Sequence, residues 1–187
     1  MNQSQHDLDM LYWLFGPGAA IRARVGARFH DVETDDEVMA WIFTGQGVPI
    51  SYYASTGEAP GRSYLEIVGK LGTLVYENEQ LRFSELSEAT DDVIGKSEEA
   101  LPVIAESTTD ISIADIESGY VAVHKTFHAA IRGQGQLICP GEEGIHSVEW
   151  ANAMLLSSVY GTAVDLPIDR EAYDHLLADL RARRVTL

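Results

Sequence analysis

The sequence predicts an α+β domain: a mostly antiparallel open β-sheet with helices packed on one face. Three observations predict it. Between residues 19 and 83 short apolar runs, the first of them alternating with period two, are separated by Gly, Pro and Asn turns. From residue 120 onward the apolar period lengthens to that of a helix. The strand-like runs come first with short links and the helix-like runs follow, an order that gives antiparallel pairing with segregated helices rather than alternating βαβ units.

Each element has its own warrant. Leu8, Leu11, Tyr12 and Phe15 stand at helical spacing, and Gly16-Pro17 ends that run. From Ala19 to Phe29, Ile21, Ala23, Val25 and Ala27 alternate with Arg22, Arg24 and Arg28, a strand with one wet face. Val38 to Phe43 is a second strand, turned by Thr44-Gly45-Gln46-Gly47 into Val48 to Ser55. Tyr64 to Val68 and Thr73 to Glu77 are joined through Gly69 and Gly72, and Asn78-Glu79 turns into Leu81 to Phe83. Residues 84–118 are acidic and rich in Ser and Thr, and no element is placed there. Helices are expected over Tyr120 to Arg132 with Gly133 past the end, over Glu142 to Tyr160 closed by Gly161, and over Asp169 to Arg184 with Asp169 as cap.

Composition excludes several classes. Net charge is −16, from 29 acidic against 13 basic residues, which argues against a nucleic-acid or anionic-membrane surface because phosphate binding needs clustered Lys and Arg. The single cysteine, Cys139, excludes an intrachain disulfide framework and a multi-Cys zinc site. No apolar run reaches the length of a membrane span, no signal peptide is recognisable, and a cytoplasmic location is the default. At 187 residues the chain is read as one domain, 1–187, large enough to bury about 70% of its unfolded surface.

The head of the chain concentrates polar chemistry. Asn2 and His6 are four apart and share a helix face away from the apolar stripe. Ordinary first-turn duty accounts for them, since Asn and Ser cap helices and Asp7 and Asp9 suit the positive end of the dipole. So does a general acid/base, because imidazole titrates near physiological pH and Asn2 can orient it or its substrate. Local chemistry leaves both open. His124 and His128, also four apart on a helix, have metal-ligand spacing without a third ligand, so no metal is assigned. Ser51, Tyr53 and Ser55 alternate on one strand face, either solvated or lining a cleft. Trp13, Trp41 and Trp150 sit in apolar stretches and are expected in the core, while His30, His146 and His175 are expected at the surface. Two Gly-x-Gly strings, Gly45-Gln46-Gly47 and Gly133-Gln134-Gly135, lack the strand–turn–helix setting that aims backbone amides at a pyrophosphate.

Four stretches in register resemble one family. Asn2-x-x-x-His6-Asp7-Leu8-Asp9-x-Leu11-x-x-Leu14-x-Gly16 resembles the junction segment of the glucose–fructose oxidoreductase/inositol dehydrogenase (Gfo/Idh/MocA) family. Ala54-Ser55-Thr56 through Leu65-Glu66-Ile67-Val68-Gly69-Lys70-x-Gly72-Thr73-Leu74 resembles its strand pair. His124-x-x-Phe127-x-x-Ala130-Ile131-Arg132-Gly133 is similar to its substrate-side helix. Pro140-Gly141-Glu142-Glu143-Gly144 through Asn152-Ala153 and Leu166-Pro167 is similar to its closing helix and exit.

The resemblance implies a glyceraldehyde-3-phosphate dehydrogenase-like C-terminal domain that binds substrate and pairs subunits through its open sheet face, giving a homo-oligomer. It implies an N-terminal Rossmann domain, expected upstream of Met1, which carries NAD or NADP and a catalytic lysine, so no cofactor is expected on this chain alone. The implied chemistry is hydride transfer from a carbinol carbon of a sugar or cyclitol to nicotinamide, with His6 as acid/base, Asn2 beside it, and His124, Tyr53 and Ser55 on the substrate. Asn2 stands where many members carry Asp, and an amide orients but cannot relay a proton. The alternative is a non-catalytic carbohydrate-binding or oligomerisation module on the same fold.

Overall fold

The computed structural model describes residues 4–99, 102–113 and 119–187. In chain order the elements are α1 (Gln5–Phe15), β1 (Gly18–Gly26), β2 (Glu37–Thr44), β3 (Pro49–Ser55), β4 (Tyr64–Gly69), β5 (Gly72–Glu77), β6 (Gln80–Leu86), α2 (Thr90–Lys96), β7 (Glu106–Ile111), α3 (Gly119–Ile131), α4 (Gly144–Tyr160), β8 (Val164–Asp165) and α5 (Arg170–Arg181). The expected α+β architecture and antiparallel pairing are present, with the strands divided between two four-stranded sheets, β3-β2-β1-β8 and β4-β5-β6-β7. The chain forms two compact units, Met1–Ala59 with Leu137–Leu187, and Pro60–Gln136.

In the first unit the sheet has two unlike faces, in β2 as well, where the sequence runs apolar without alternation. Ile21, Val25, Val38, Ala40, Ile42 and Tyr52 are buried on the inner face, against Leu8 and Leu11 of α1 and Trp150, Ala153, Met154 and Leu156 of α4. Their neighbours in sequence form the outer face, where register sets Trp41 between Arg22 and Ser51, and Met39 between Arg24 and Tyr53. Trp41 is 56% exposed there, and Trp13 is 79% exposed on α1, so of the three tryptophans expected in the core only Trp150 is buried. Trp41 falls on the wrong parity of its strand, and Trp13 on the helix face opposite Leu8 and Leu11.

The edge of β1 is closed in two ways. β8 pairs only with Ala20 and Ile21. Beyond it, hydroxyls of α4 take over the ladder: Ser157 Oγ accepts from Ala23 N–H at 2.9 Å, and Ser158 Oγ accepts from Val25 N–H at 2.9 Å while donating to Val25 C=O at 3.1 Å. A sheet edge left open to solvent is thereby covered by a helix. At the other end of β1, the buried Asp36 carboxylate accepts the backbone N–H groups of Arg28, Phe29 and His30 at 2.7–2.8 Å, and His30 Nδ1 lies 3.1 Å from it. This hub ends the strand at Gly26, short of the expected Phe29, while His30 itself stays exposed, as expected. At α5 the expected cap is present: Asp169 Oδ1 accepts from Glu171 N–H at 2.9 Å and Ala172 N–H at 3.3 Å.

In the second unit the hairpins follow their turn residues. Asn78 and Glu79, at φ 51° and 61°, link β5 to β6 in the left-handed conformation that suits a two-residue hairpin. Gly72, at φ 151°, lets Ser84 C=O approach to where a Cβ would lie 2.2 Å away. One face of this sheet is apolar, with Ile67, Leu74 and Phe83 side by side, and the other carries the pairs Arg62–Glu77 and Arg82–Asp110. α2 and β7 lie in the stretch where no element was placed. Polar, exposed sequence gives no period there, and β7 forms because β6 offers it a free edge.

Candidate functional site

The first turn of α1 is where the sequence placed its chemistry. Leu8 and Leu11 fix the rotation of the helix by entering the core, which turns His6 to the opposite, solvent-facing side. His6 is exposed and free of packing duty. Asn2 lies outside the described residues. Ser4 occupies the N-cap position, yet its side chain makes no capping hydrogen bond and is buried.

Beneath this turn sits Tyr52, the inner-face neighbour of Tyr53. Burial pushes its phenol up to about 12, the Ser4 hydroxyl beside it offsets part of that push, and the Asp7 carboxyl adds to it. Gln5 Oε1, a buried atom, has no hydrogen-bond partner among the described residues. Partial desolvation raises the Asp7 carboxyl above its ordinary range, and the adjacent His6 pulls it partly back. The head of α1 thus combines an exposed imidazole, a carboxyl of raised proton affinity beside it, and a buried phenol below. Such a group can take and return a proton at a solvent-facing position.

The other residues singled out from sequence lie elsewhere. Tyr53 and Ser55 are on the outer sheet face, away from α1. Tyr53 is 45% exposed, and its hydroxyl donates to Glu37 Oε1 at 3.2 Å, while Ser55 Oγ accepts from Gly57 N–H at 3.1 Å. His124 and His128 are exposed on α3, in the second unit. Within the first unit the structure brings Tyr52, not Tyr53, to the helix that carries His6. The alternation Tyr52/Tyr53 was visible in the sequence, but parity alone does not say which face meets the helices. His146, expected at the surface, is half-buried and stacks on Tyr12 with centroids 4.0 Å apart.

Among the described residues no three His, Cys, Asp or Glu side chains gather as a metal-binding group, and no helix is long and apolar enough to cross a membrane. The two Gly-x-Gly strings keep the setting that the sequence suggests. Gly45 and Gly47 lie in and beside the β2–β3 turn and Gly133 closes α3, so neither Gly-x-Gly opens a helix after a strand.

Comparison with known proteins follows the geometry. The profile of the oxidoreductase family's C-terminal alpha/beta domain (Gfo/Idh/MocA) matches residues 1–166. No curated protein sequence matches the chain. Among solved structures, the WlbA dehydrogenase from Bordetella pertussis in complex with NADH and UDP-GlcNAcA is similar at 22% identity and TM-score 0.67, over 90% of this chain and 46% of that one. Levoglucosan dehydrogenase in complex with NADH is similar at 21% identity and TM-score 0.67, over 89% and 49%. An oxidoreductase from Agrobacterium radiobacter in complex with NAD+, L-tartaric acid and magnesium is similar at 15% identity and TM-score 0.63, over 87% and 47%. The chain spans about half the length of these relatives. It belongs to the Gfo/Idh/MocA oxidoreductase family, as the C-terminal alpha/beta domain of that family.

Proposed function

We propose that this chain is the substrate-side domain of a nicotinamide-dependent dehydrogenase acting on a carbinol carbon of a sugar or cyclitol, with His6 as acid/base. One observation carries the reading: His6 stands exposed at the head of α1, on the face that does no packing, with Asp7 beside it. A nicotinamide bound by the complete protein would supply the hydride acceptor; the hydroxyl proton then needs an acceptor of its own, and the His6 imidazole is a side chain of that chemistry. Asn2 orients substrate or imidazole. The similarity to NADH-bound dehydrogenases that carry UDP-GlcNAcA, or that are named for levoglucosan, supports sugar-like substrates and NAD(P) use in the complete protein. Turnover of His6→Ala in the complete protein, assayed with nucleotide sugars, anhydro-sugars and inositols, tests the reading.

The outer sheet face of the first unit supports a further part, self-association. Met39, Trp41, Phe43 and Tyr53 are 45–56% exposed side by side across β2 and β3. A contiguous apolar face of this kind marks an interaction surface. We assign Tyr53 and Ser55 to its rim and not to the substrate.

A further inference from the structure

α1 meets the rest of the first unit through a ring as well as through its apolar stripe. Leu8 and Leu11 decide which side of the helix faces inward, but burial of hydrocarbon is non-directional and sets the rotation only coarsely. The head of the helix adds little, because the Ser4 side chain makes no capping hydrogen bond. Tyr12 adds a directional contact. Its ring lies flat on His146 and meets Trp150 edge-on. His146 and Trp150 are four apart on α4 and share a face, so two rings grip the third. The grip is anchored in the core. Trp150 is fully buried, and its indole lies so near the start of β1 that a Cβ on Gly18 would come within 3.1 Å of Nε1. His146 is half-buried and stands outside that core, so burial alone does not call for an imidazole there.

We propose that His146 is a positioning residue for His6: its stack on Tyr12 fixes the rotation of α1, and with it the place of the His6 imidazole. The inference rests on His6 being the acid/base. The His6 ring is exposed and off the packed stripe, so the helix alone sets where it stands. Six residues separate it from Tyr12, about 9 Å along the axis at about 1.5 Å per residue, and both ride on one short rod. A rotation of about 10° carries a side-chain tip, about 5–6 Å from the axis, through about 1 Å. Proton transfer needs heavy atoms about 2.6–3.2 Å apart, and a misplacement of about 1 Å costs on the order of 10²-fold in rate. Any apolar side chain against Tyr12 would stabilise the helix. A flat ring against a flat ring also fixes the plane, and so the angle at which α1 lies.

The test uses the complete protein, assayed on the sugar it turns over best. His146→Leu keeps an apolar contact with Tyr12 and removes the flat ring. It is expected to lower kcat roughly tenfold while KM stays within about twofold. His146→Phe restores the ring and is expected to restore kcat. Tyr12→Leu removes the same stack from the other side, and stands in for His146→Leu if that variant does not fold. Unchanged kcat in a folded variant without the stack overturns the positioning role, and so does a His146→Phe enzyme as slow as His146→Leu. Combining His146→Leu with His6→Ala keeps the two ideas apart. A residue that acts through His6 adds nothing once His6 is gone, so the double variant should be no slower than His6→Ala. If His6→Ala is slow and His146→Leu slows it further by the same factor, the positioning role falls and the acid/base role stands. If His6→Ala turns over normally, the acid/base role falls and takes the positioning role with it.

Discussion

Tyr12 of α1 and His146 of α4 lie ring on ring, centroids 4.0 Å apart and planes 8° from parallel, and Trp150 meets the same tyrosine edge-on at 5.8 Å. This cluster ties the helix that presents His6 to the longest helix of the domain. Aromatic pairs contribute about 0.5–1.5 kcal/mol beyond their buried area. Tyr12→Leu is therefore expected to lower unfolding free energy by at least that amount, read from denaturant melts, and to loosen α1 before the sheet in amide exchange.

Ser157 is fully buried, with its hydroxyl accepting from Ala23 N–H at 2.9 Å and donating to Thr162 C=O at 2.6 Å. Ser157→Ala leaves a strand N–H and a carbonyl without partners. A cost of about 1–3 kcal/mol is expected, the penalty for a buried unsatisfied group. Ser158→Ala, at a half-exposed site where water can replace the hydroxyl, should cost less. Equal stabilities of the two variants would contradict the edge-covering role of α4.

Acid stability should pass through Asp36. Burial alone would raise its carboxyl, but the N–H groups of Arg28, Phe29 and His30 and the His30 ring outweigh burial and hold it at about 2, against an ordinary 3.8. A folded value below the unfolded one means that the stabilisation is complete above pH 3.8 and is lost as pH falls through 2. The melting temperature of the wild type should drop more steeply across that window than that of Asp36→Asn, which carries no titrating carboxyl there. Parallel curves would show that the hub contributes nothing to pH dependence.

His6→Ala in the complete protein should reduce turnover on the order of 10²–10⁴-fold, the usual worth of a positioned acid/base. The fold should not notice, because the ring is exposed and packs against nothing in the core. Full activity in a normally folded variant would end the proposal.

Trp41→Glu places a charge at the centre of the outer sheet face without touching the core, since the side chain is 56% exposed. Sedimentation should show smaller assemblies than the wild type at the same concentration, with an unchanged melting temperature at dilutions where both are monomeric. Identical sedimentation would mean that the face is not where copies meet.

What was legible in the sequence was what local periodicity carries. The alternation that puts Ile21 and Val25 on one face of β1 and the stripe of α1 could be read because burial imposes its period on a single segment, and the Asp169 cap because a cap is set within its own first turn. What was not legible depended on a partner far along the chain. β7 exists because β6 has a free edge, and β8 is two residues long and shows no period at all. Trp13 and Trp41 are apolar residues in apolar runs, and only the rotation of α1 and the parity of β2 reveal that they face outward.

The candidate site divides along the same line. Sequence alone determined that His6 shares a helix with a buried apolar stripe and lies off it, because helical geometry fixes that angle wherever the helix goes. Only the tertiary structure decided that Tyr52 and not Tyr53 lies under the first turn, that Ser4 is buried instead of capping, and that Asp7 is desolvated enough to hold its proton more tightly. Those outcomes depend on which sheet face receives α1 and α4, a choice made by the summed burial of side chains more than a hundred residues apart in sequence.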